Sequence, residues 1–274
     1  MNWLRRWAHE GPLRTLLMHP AVRRRIAAIL ALRFLVAACA LRSPLAFLRD
    51  WLRSGSGRSA YTTRCGATVE LAPRADLEAF YEVFWRRDYD PPPDLARRLA
   101  GARVILDLGA NVGTFSAFAT SRWPDATVVA YEPEQTSAAA YAHWADTTGA
   151  PATLHIAAAS TTDGTVDFVT GWGGGSHLAR QGEPGEPVPS RDVFADLDAC
   201  DLAKIDIEGG EWPILADPRL TALHHTVIVM EYHRVGAPHL PAREAAVAQL
   251  RAAGFTTGYG SANYWGHGTL WAWK

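Results

Sequence analysis

From Val104 onward the chain alternates short apolar runs with longer segments of helical period. The runs at residues 104–108, 127–131, 153–157, 165–170, 202–207, 227–232 and 270–273 predict buried strands. Residues 114–121, 134–146 and 243–253 predict helices, the last ended by Gly254. Strands that alternate with helices in this way predict a parallel sheet covered by helices on both faces. Before Val104 the pattern differs. Residues 1–53 read as three helices: the first carries Trp3, Leu4 and Trp7 on one face and breaks at Gly11-Pro12, the second runs from Pro20 through Leu41, and the third opens at Ser43-Pro44 and ends near Ser54-Gly55. Residues 54–59 are a Ser/Gly linker. Residues 61–73 predict a hairpin with Cys65-Gly66 near its turn, Asp76 is placed to cap a helix over 77–84, and a further helix is expected over 94–100. The organisation expected is a helical extension with linker (1–60), a hairpin and helix lead-in (61–100), and an α/β domain (101–274). The stretches 171–175 and 182–189 are expected to share one long loop.

Composition sharpens this picture. The chain has 274 residues, 48% apolar and 20% charged, which excludes a disordered chain and is long enough for a substantial core. Its net charge of −1 excludes a nucleic-acid coat. Residues 1–60, however, carry 11 Arg against 2 acids, net +9, and the rest is net −10. The basic leader suits a surface-lying helix on anionic lipid, a cap on the acidic domain, or a homodimer arm. Residues 26–41 are too apolar to lie exposed, which favours the cap or the dimer. Arg33 and Arg42 leave only 34–41 uncharged, far short of the ~20 residues a spanning helix needs. Three scattered cysteines without a CxxC suit a reducing cytoplasm, with peripheral membrane contact through residues 1–53 as an alternative.

The candidate chemistry begins where the first domain strand ends. Asp107-Leu-Gly109-Ala110-Asn111-Val-Gly113-Thr114 joins a buried strand to a helix through a glycine-bearing turn. The spacing is GxxxG, not the GxGxxG of dinucleotide folds. Asp107 would repel a pyrophosphate and attract an ammonium group, which favours a nucleoside carrying an amino acid, S-adenosylmethionine. Glu132, 25 residues further on at the next strand end, is placed to accept both ribose hydroxyls. The small residues 157–160, with Asp163-Gly164, leave room for an adenine ring. A hydroxyl acceptor needs a base, and Asp206, Glu208, Glu231 and His233 are the candidates. Glu208 and Glu211 equally suit the start of a helix. Lys204, one of two lysines in an arginine-rich chain, reads best as a buried partner for a strand-end carboxylate and alternatively as a substrate contact. His177 is a substrate contact, a base, or a surface histidine. Asp206, Glu231 and His233 could hold a divalent cation, but no ligand spacing demands one and no metal is assigned.

Taken together, Asp107–Thr114, Glu132-Pro133, Ala158-Ala159-Ser160 with Asp163-Gly164, Lys204-Ile-Asp206-Ile-Glu208-Gly-Gly210-Glu211 and Val229-Met-Glu231-Tyr-His233 resemble the FkbM-type methyltransferases over residues 61–274. Gly210 departs from the Ala common there, and the basic leader has no counterpart. The resemblance implies a class I, Rossmann-like methyltransferase fold with a seven-stranded, mostly parallel sheet. It implies methyl transfer from S-adenosylmethionine to a hydroxyl of a natural product or saccharide, in bacterial specialised metabolism. Residue by residue, it puts Asp107, Gly109, Ala110, Asn111, Gly113 and Thr114 at the methionine end of the cofactor. Glu132 and Pro133 fall at the ribose, Ala158 beside the base, and Asp206 and Glu208 toward the transferring methyl. N- or C-methylation on the same fold is an alternative. So is a non-catalytic, membrane-associated binding protein that keeps a degenerate fold.

Overall fold

The structure, a computed structural model, describes residues 31–53, 57–170, 176–180, 182–224, 226–262 and 266–274. The first expected helix, most of the second and the glycine-rich run 171–175 lie outside them. The described chain divides into two compact units between Arg87 and Asp88, inside the segment expected to be a lead-in.

The first unit begins with a helical segment, residues 31–38, and α1 (Pro44–Leu52). The helix expected through Leu41 stops short because Leu41 bridges to Thr63 and the Arg42 N–H donates to the Thr62 carbonyl at 2.9 Å. The hairpin forms as expected, β1 (Ser59–Thr62) against β2 (Thr68–Leu71). α2 (Leu77–Phe80) then widens into a π-helical turn, Tyr81–Arg86. Asp76 precedes α2 without capping it. Its carboxylate accepts instead from the Ala72 N–H at 2.7 Å and from Arg58 at 2.6 Å. The core is aromatic: Phe47 stacks on Phe34 at 5.1 Å, meets Tyr61 edge-on at 5.2 Å and approaches Phe80 at 6.1 Å.

The second unit starts with α3 (Pro93–Arg98) and then builds the sheet: β3 (Val104–Leu108), α4 (Thr114–Arg122), β4 (Thr127–Tyr131), α5 (Gln135–Thr148) and β5 (Ala152–His155). The expected strand 153–157 splits. The Ala157 N–H donates to the His155 carbonyl, and the chain turns into β6 (Ala158–Ser160) of a second sheet. There follow β7 (Gly164–Val169), β8 (His177–Leu178), β9 (Glu186–Asp192), α6 (Phe194–Ala199), β10 (Leu202–Ile205), α7 (Glu211–Ala216), β11 (Val227–Tyr232), α8 (Ala242–Ala252), β12 (Thr256–Gly260) and β13 (Gly268–Trp273). The small sheet has the order β6-β9-β7-β8. It takes up residues 186–189, which were expected in a loop. Pro187 and Pro189 are two apart, so both turn the same edge of β9 away from β7. β6 pairs only with Ser190–Asp192, so that edge asks them for no N–H.

The main sheet has seven strands in the order β12-β13-β11-β10-β3-β4-β5. β11, β10, β3, β4 and β5 run parallel, and β13 inserts antiparallel between β11 and β12. Alternation along each strand sorts the two faces. Leu106, Leu108, Ala203, Ile205, Ile228 and Met230 join residues of α6, α7 and α8 in one core. Asp107 and Lys204 point to the other face, where Ser116 of α4 and Tyr141 of α5 lie behind Asp107. The chain leaves β3 toward β4 and β5, then returns on β3's opposite side as β10. That reversal is the topological switch point, and ligands of such sheets bind outside the carboxyl ends there.

Candidate active site

At the carboxyl end of β3 the chain makes the glycine turn. Gly109 has φ +80°, and a Cβ there would stand 1.8 Å from the Asp206 carbonyl oxygen, so β3 and β10 can close this tightly only around glycine. Gly113 has φ +88° and lies against Trp144, which a Cβ would meet at 2.9 Å. Glu132, just past β4, ties the turn down. Its Oε2 accepts from the Asn111 N–H and its Oε1 from the Glu134 N–H, both at 2.8 Å. Burial pushes the Glu132 carboxyl up to about 7 against the pull of those two donors. Pro133 and Ala158 are buried beside it in the chain and on β6. Ser176 donates to Glu134 Oε2 at 3.2 Å, which brings the segment before β8 over this strand end.

Lys204 is the hub between the two halves of the sheet. Strand register sets it beside Asp107. Its Nζ donates to the Gly109 carbonyl at 2.7 Å and the Leu108 carbonyl at 3.3 Å, and stands 3.4 Å from Asp107 Oδ1 and 3.5 Å from Asp206 Oδ2. Burial opposes its charge, but Asp206 and Asp107 outweigh burial and hold the ammonium above its ordinary range. Lys204 thus has the paired position expected of it. Asp107 is wholly buried, so its carboxylate does not stand open to an ammonium ligand. Its Oδ2 accepts from Ser116 at 2.7 Å, while Oδ1 has the ion pair to Lys204 but no hydrogen bond. Thr114 Oγ1, also buried, has no hydrogen-bond partner either.

Beyond β10 and β11 lies a cluster of acids around one imidazole. Asp206 accepts from the Tyr89 hydroxyl at 3.3 Å. Glu211, fully buried at the start of α7, accepts from the Gly209 N–H at 2.8 Å and from the His233 N–H at 2.9 Å, and its Oε1 stands 3.2 Å from His233 Nδ1. His233 Nε2 therefore faces Glu208 Oε2 at 3.6 Å and Asp206 Oδ1 at 3.9 Å. Burial opposes a charge on His233, yet the bond to Glu211 and the charges of Glu208, Glu211 and Asp206 prevail and push it up to about 10. Burial, with Asp206 and Glu211 adding to it, pushes Glu208 up to about 7 although a third of its side chain, 33%, reaches solvent. Burial, reinforced by Asp206, pushes Glu231 up to about 8. Glu208 also holds φ +51°, a left-handed conformation that a non-glycine residue adopts at a cost.

Of the four candidate bases, the structure gathers Asp206, Glu208 and His233 in one group, and Glu231 shares His233 in a second group with His267. His177 is placed elsewhere, on β8, paired with Glu183 at 3.2 Å. Sequence reasoning treated Glu211 as a helix start and missed its hold on His233. It also missed Tyr89 and His267. The His267 ring meets His233 edge-on at 5.3 Å, and its only sequence signal is its place just before a strand that pairs with β11. Among the described residues, the triads Asp206–Glu208–His233 and Glu231–His233–His267 each bring ligand atoms within 4.8 Å. The expected trio Asp206, Glu231 and His233 is split between them, and no metal is assigned.

A parallel sheet with an antiparallel β13 beside β11, a glycine turn after β3 and an acid after β4 define the class I, S-adenosylmethionine-dependent methyltransferase architecture. The Methyltransferase FkbM domain matches residues 107–256, more than half of the chain, and the chain belongs to that family. No curated protein matches it significantly. Among solved structures it is similar to the O-methyltransferase TomG from Streptomyces achromogenes, involved in tomaymycin synthesis and in complex with S-adenosylmethionine (20% identity, 65% of this chain and 76% of that one, TM-score 0.39). It is also similar to precorrin-6y C5,15-methyltransferase from Geobacter metallireducens (18% identity, 65% and 86%, TM-score 0.39). The assignment rests on the family match and the sheet, not on these distant likenesses. The protein is an S-adenosylmethionine-dependent methyltransferase.

Proposed function

We propose that this enzyme methylates a hydroxyl group of a small molecule, a natural product or a saccharide, with Glu208 as the base. The observation that carries this reading is the chain of contacts Glu211–His233–Glu208 at the switch point. The residues of the β3 turn fit the donor. One buried polar atom there, Thr114 Oγ1, lacks a hydrogen-bond partner, and each Glu132 oxygen keeps a lone pair for a ribose hydroxyl beside its backbone donor. Ala110, Asn111 and Gly113 would line the methionine end, and Pro133 and Ala158 the nucleoside end. Asp107 would act by holding Lys204 and α4, not by direct contact. S-adenosylmethionine, when bound, supplies an electrophilic methyl group.

The remaining work falls to this chain's own groups: align the acceptor oxygen and receive its proton. His233 is 3% exposed and Asp206 is engaged by Lys204 and Tyr89, while Glu208 keeps 33% of its side chain at solvent and faces His233 Nε2, which places it ahead of Glu231 as the base. A carboxyl pushed up to about 7 is matched to taking a proton near neutral pH. His233, held as a cation by Glu211, faces Glu208 and steadies its charged form until the proton arrives. Glu208 would receive the acceptor's proton, and the bound donor would supply the methyl group by release of its sulfur–methyl bond.

Calorimetry with S-adenosylmethionine, with NAD as control, tests the cofactor. A panel of hydroxylated small molecules, read by the mass gain of one methyl group and by fragmentation, tests the acceptor atom. Glu208→Gln should lose on the order of 100-fold or more in turnover at nearly unchanged cofactor affinity. Wild-type turnover in that variant, or a methyl located on nitrogen or carbon, would overturn the reading.

A further inference from the structure

The first unit carries a surface that the methyl-transfer chemistry does not use. On α1, Leu45, Leu48, Arg49, Leu52 and Arg53 line one shallow groove. They recur at helical spacing, so a single outward stripe carries them all. Leu45 is 78% exposed and Leu52 61%, far more than scattered surface leucines require an account for. The preceding helical segment adds Leu32 and Leu35, also exposed. The opposite side of α1 is satisfied: Phe47 is buried against Phe34, and Trp51 packs on Phe34 at 4.7 Å.

The charges fall in the same pattern. The one acid of α1, Asp50, accepts from the Tyr61 hydroxyl and from Arg49 Nε at 2.8 Å each, so it compensates the charge of Arg49. What remains beside the leucines is Arg53, with Arg42 exposed just before the helix. This lies within a leader whose sequence is net +9 over residues 1–60. Leucines flanked by arginines suit an interface that is apolar below and anionic above: the alkyl stems lie along hydrocarbon while the guanidinium groups reach headgroup phosphates. An acidic peptide would satisfy the arginines but not cover the leucines. A second copy of the same stripe would set arginine against arginine.

We propose that the outward stripe of α1 docks on an anionic lipid surface, with Leu45, Leu48 and Leu52 entering the headgroup boundary and Arg42 and Arg53 meeting the phosphates. This holds the enzyme at a membrane without a span, and among the described residues no helix is long and apolar enough to cross one. It is independent of which acceptor is methylated.

The test is co-sedimentation of the full chain with vesicles of phosphatidylcholine alone or mixed with phosphatidylglycerol. The wild type should bind the mixed vesicles at least tenfold more tightly than the neutral ones, and added salt should release it. The double variant L45E/L52E should lose binding by tenfold or more while keeping its circular dichroism and its affinity for S-adenosylmethionine, since both leucines are exposed. R42Q/R53Q should bind both vesicle types equally. Absence of binding to the anionic vesicles would overturn the proposal. So would undiminished binding by L45E/L52E, or a concentration-dependent dimer in analytical ultracentrifugation that L45E/L52E abolishes, which would give the stripe to a second copy.

Discussion

The two units handle charge in opposite ways. In the first, the interior is aromatic and, apart from Arg58 on the buried Asp76, the arginines shown lie outside, where they stack on rings or bond carbonyls. Arg74 lies over Trp51 at 5.0 Å and donates to its carbonyl, and Arg33 lies over Tyr81 at 5.3 Å. In the second, the carboxyl edge of the main sheet carries its charges inside: Lys204, Asp107, Glu132, Glu211 and His233 are all buried. An exposed arginine that loses a partner turns to water. A buried charge that loses a partner has none to turn to. The second unit therefore interlocks many charges where the first fixes one pair, Arg58 and Asp76, and the larger interlocked set is the one that shapes a site.

Lys204→Met is the hardest test of that contrast. It removes the one ammonium facing Asp107 and Asp206 and takes the lysine donor from the Gly109 carbonyl, while the Leu108 carbonyl keeps the Asp206 N–H. Breaking one partner out of a buried charged network costs about 3–5 kcal/mol, so the denaturant midpoint should fall steeply at neutral pH, with cofactor binding lost in whatever remains folded. A loss under about 1 kcal/mol would mean that Lys204 behaves like a surface charge, and the contrast would collapse.

Glu132 gives a smaller and more selective effect. Glu132→Gln keeps the shape but can accept from only one of the two backbone donors, so affinity for S-adenosylmethionine should drop by roughly 10–100-fold in calorimetry. The pH dependence has a definite sign. The folded-state value of about 7 lies above the ordinary 4.5, so the native state holds the proton more firmly than the unfolded chain. Burial of this group therefore costs nothing at low pH, and the cost grows as pH rises from about 4.5 through 7. Glu208 and Glu231, raised for the same reason, add to the slope. Wild-type stability should fall between pH 5 and pH 8, and Glu132→Gln should flatten that fall. An unchanged slope would show that Glu132 is not the buried acid described here.

Much of this was legible in the sequence because it repeats. The strands of the main sheet are short apolar runs at regular intervals, and the glycine turn sits where a strand meets a helix. Lys204 could be read as a paired charge because a lysine in an apolar strand has few other options. What could not be read depends on partners far apart in the chain. Pro187 and Pro189 argue for a loop until β6 is seen to leave their edge of β9 unpaired. Glu211 looks like an ordinary acid at a helix start, and only the end of β11 brings His233 onto it, 22 residues later. Asp107 looked open to a ligand because nothing in its neighbourhood announces that Ser116 and Lys204 enclose it from two sides. His267 has no motif at all. Its meeting with His233 follows from antiparallel register between β11 and β13.

The smallest expected effect tests the other side of the comparison. Arg33 Nη1 stands 2.6 Å from Glu78 Oε1, a closer contact than any ion pair of Lys204, and short distance alone would rank it as the stronger bond. Exposure decides otherwise. The two side chains are 37% and 51% exposed, so water already solvates both charges and holding two long side chains together costs entropy. Glu78→Gln, which leaves the stack of Arg33 on Tyr81 in place, should change unfolding stability by less than about 0.5 kcal/mol, and added salt should erase even that. A loss above about 1 kcal/mol would mean that the first unit also depends on its exposed charge pairs, and that distance rather than burial sets the value of a charge in this protein.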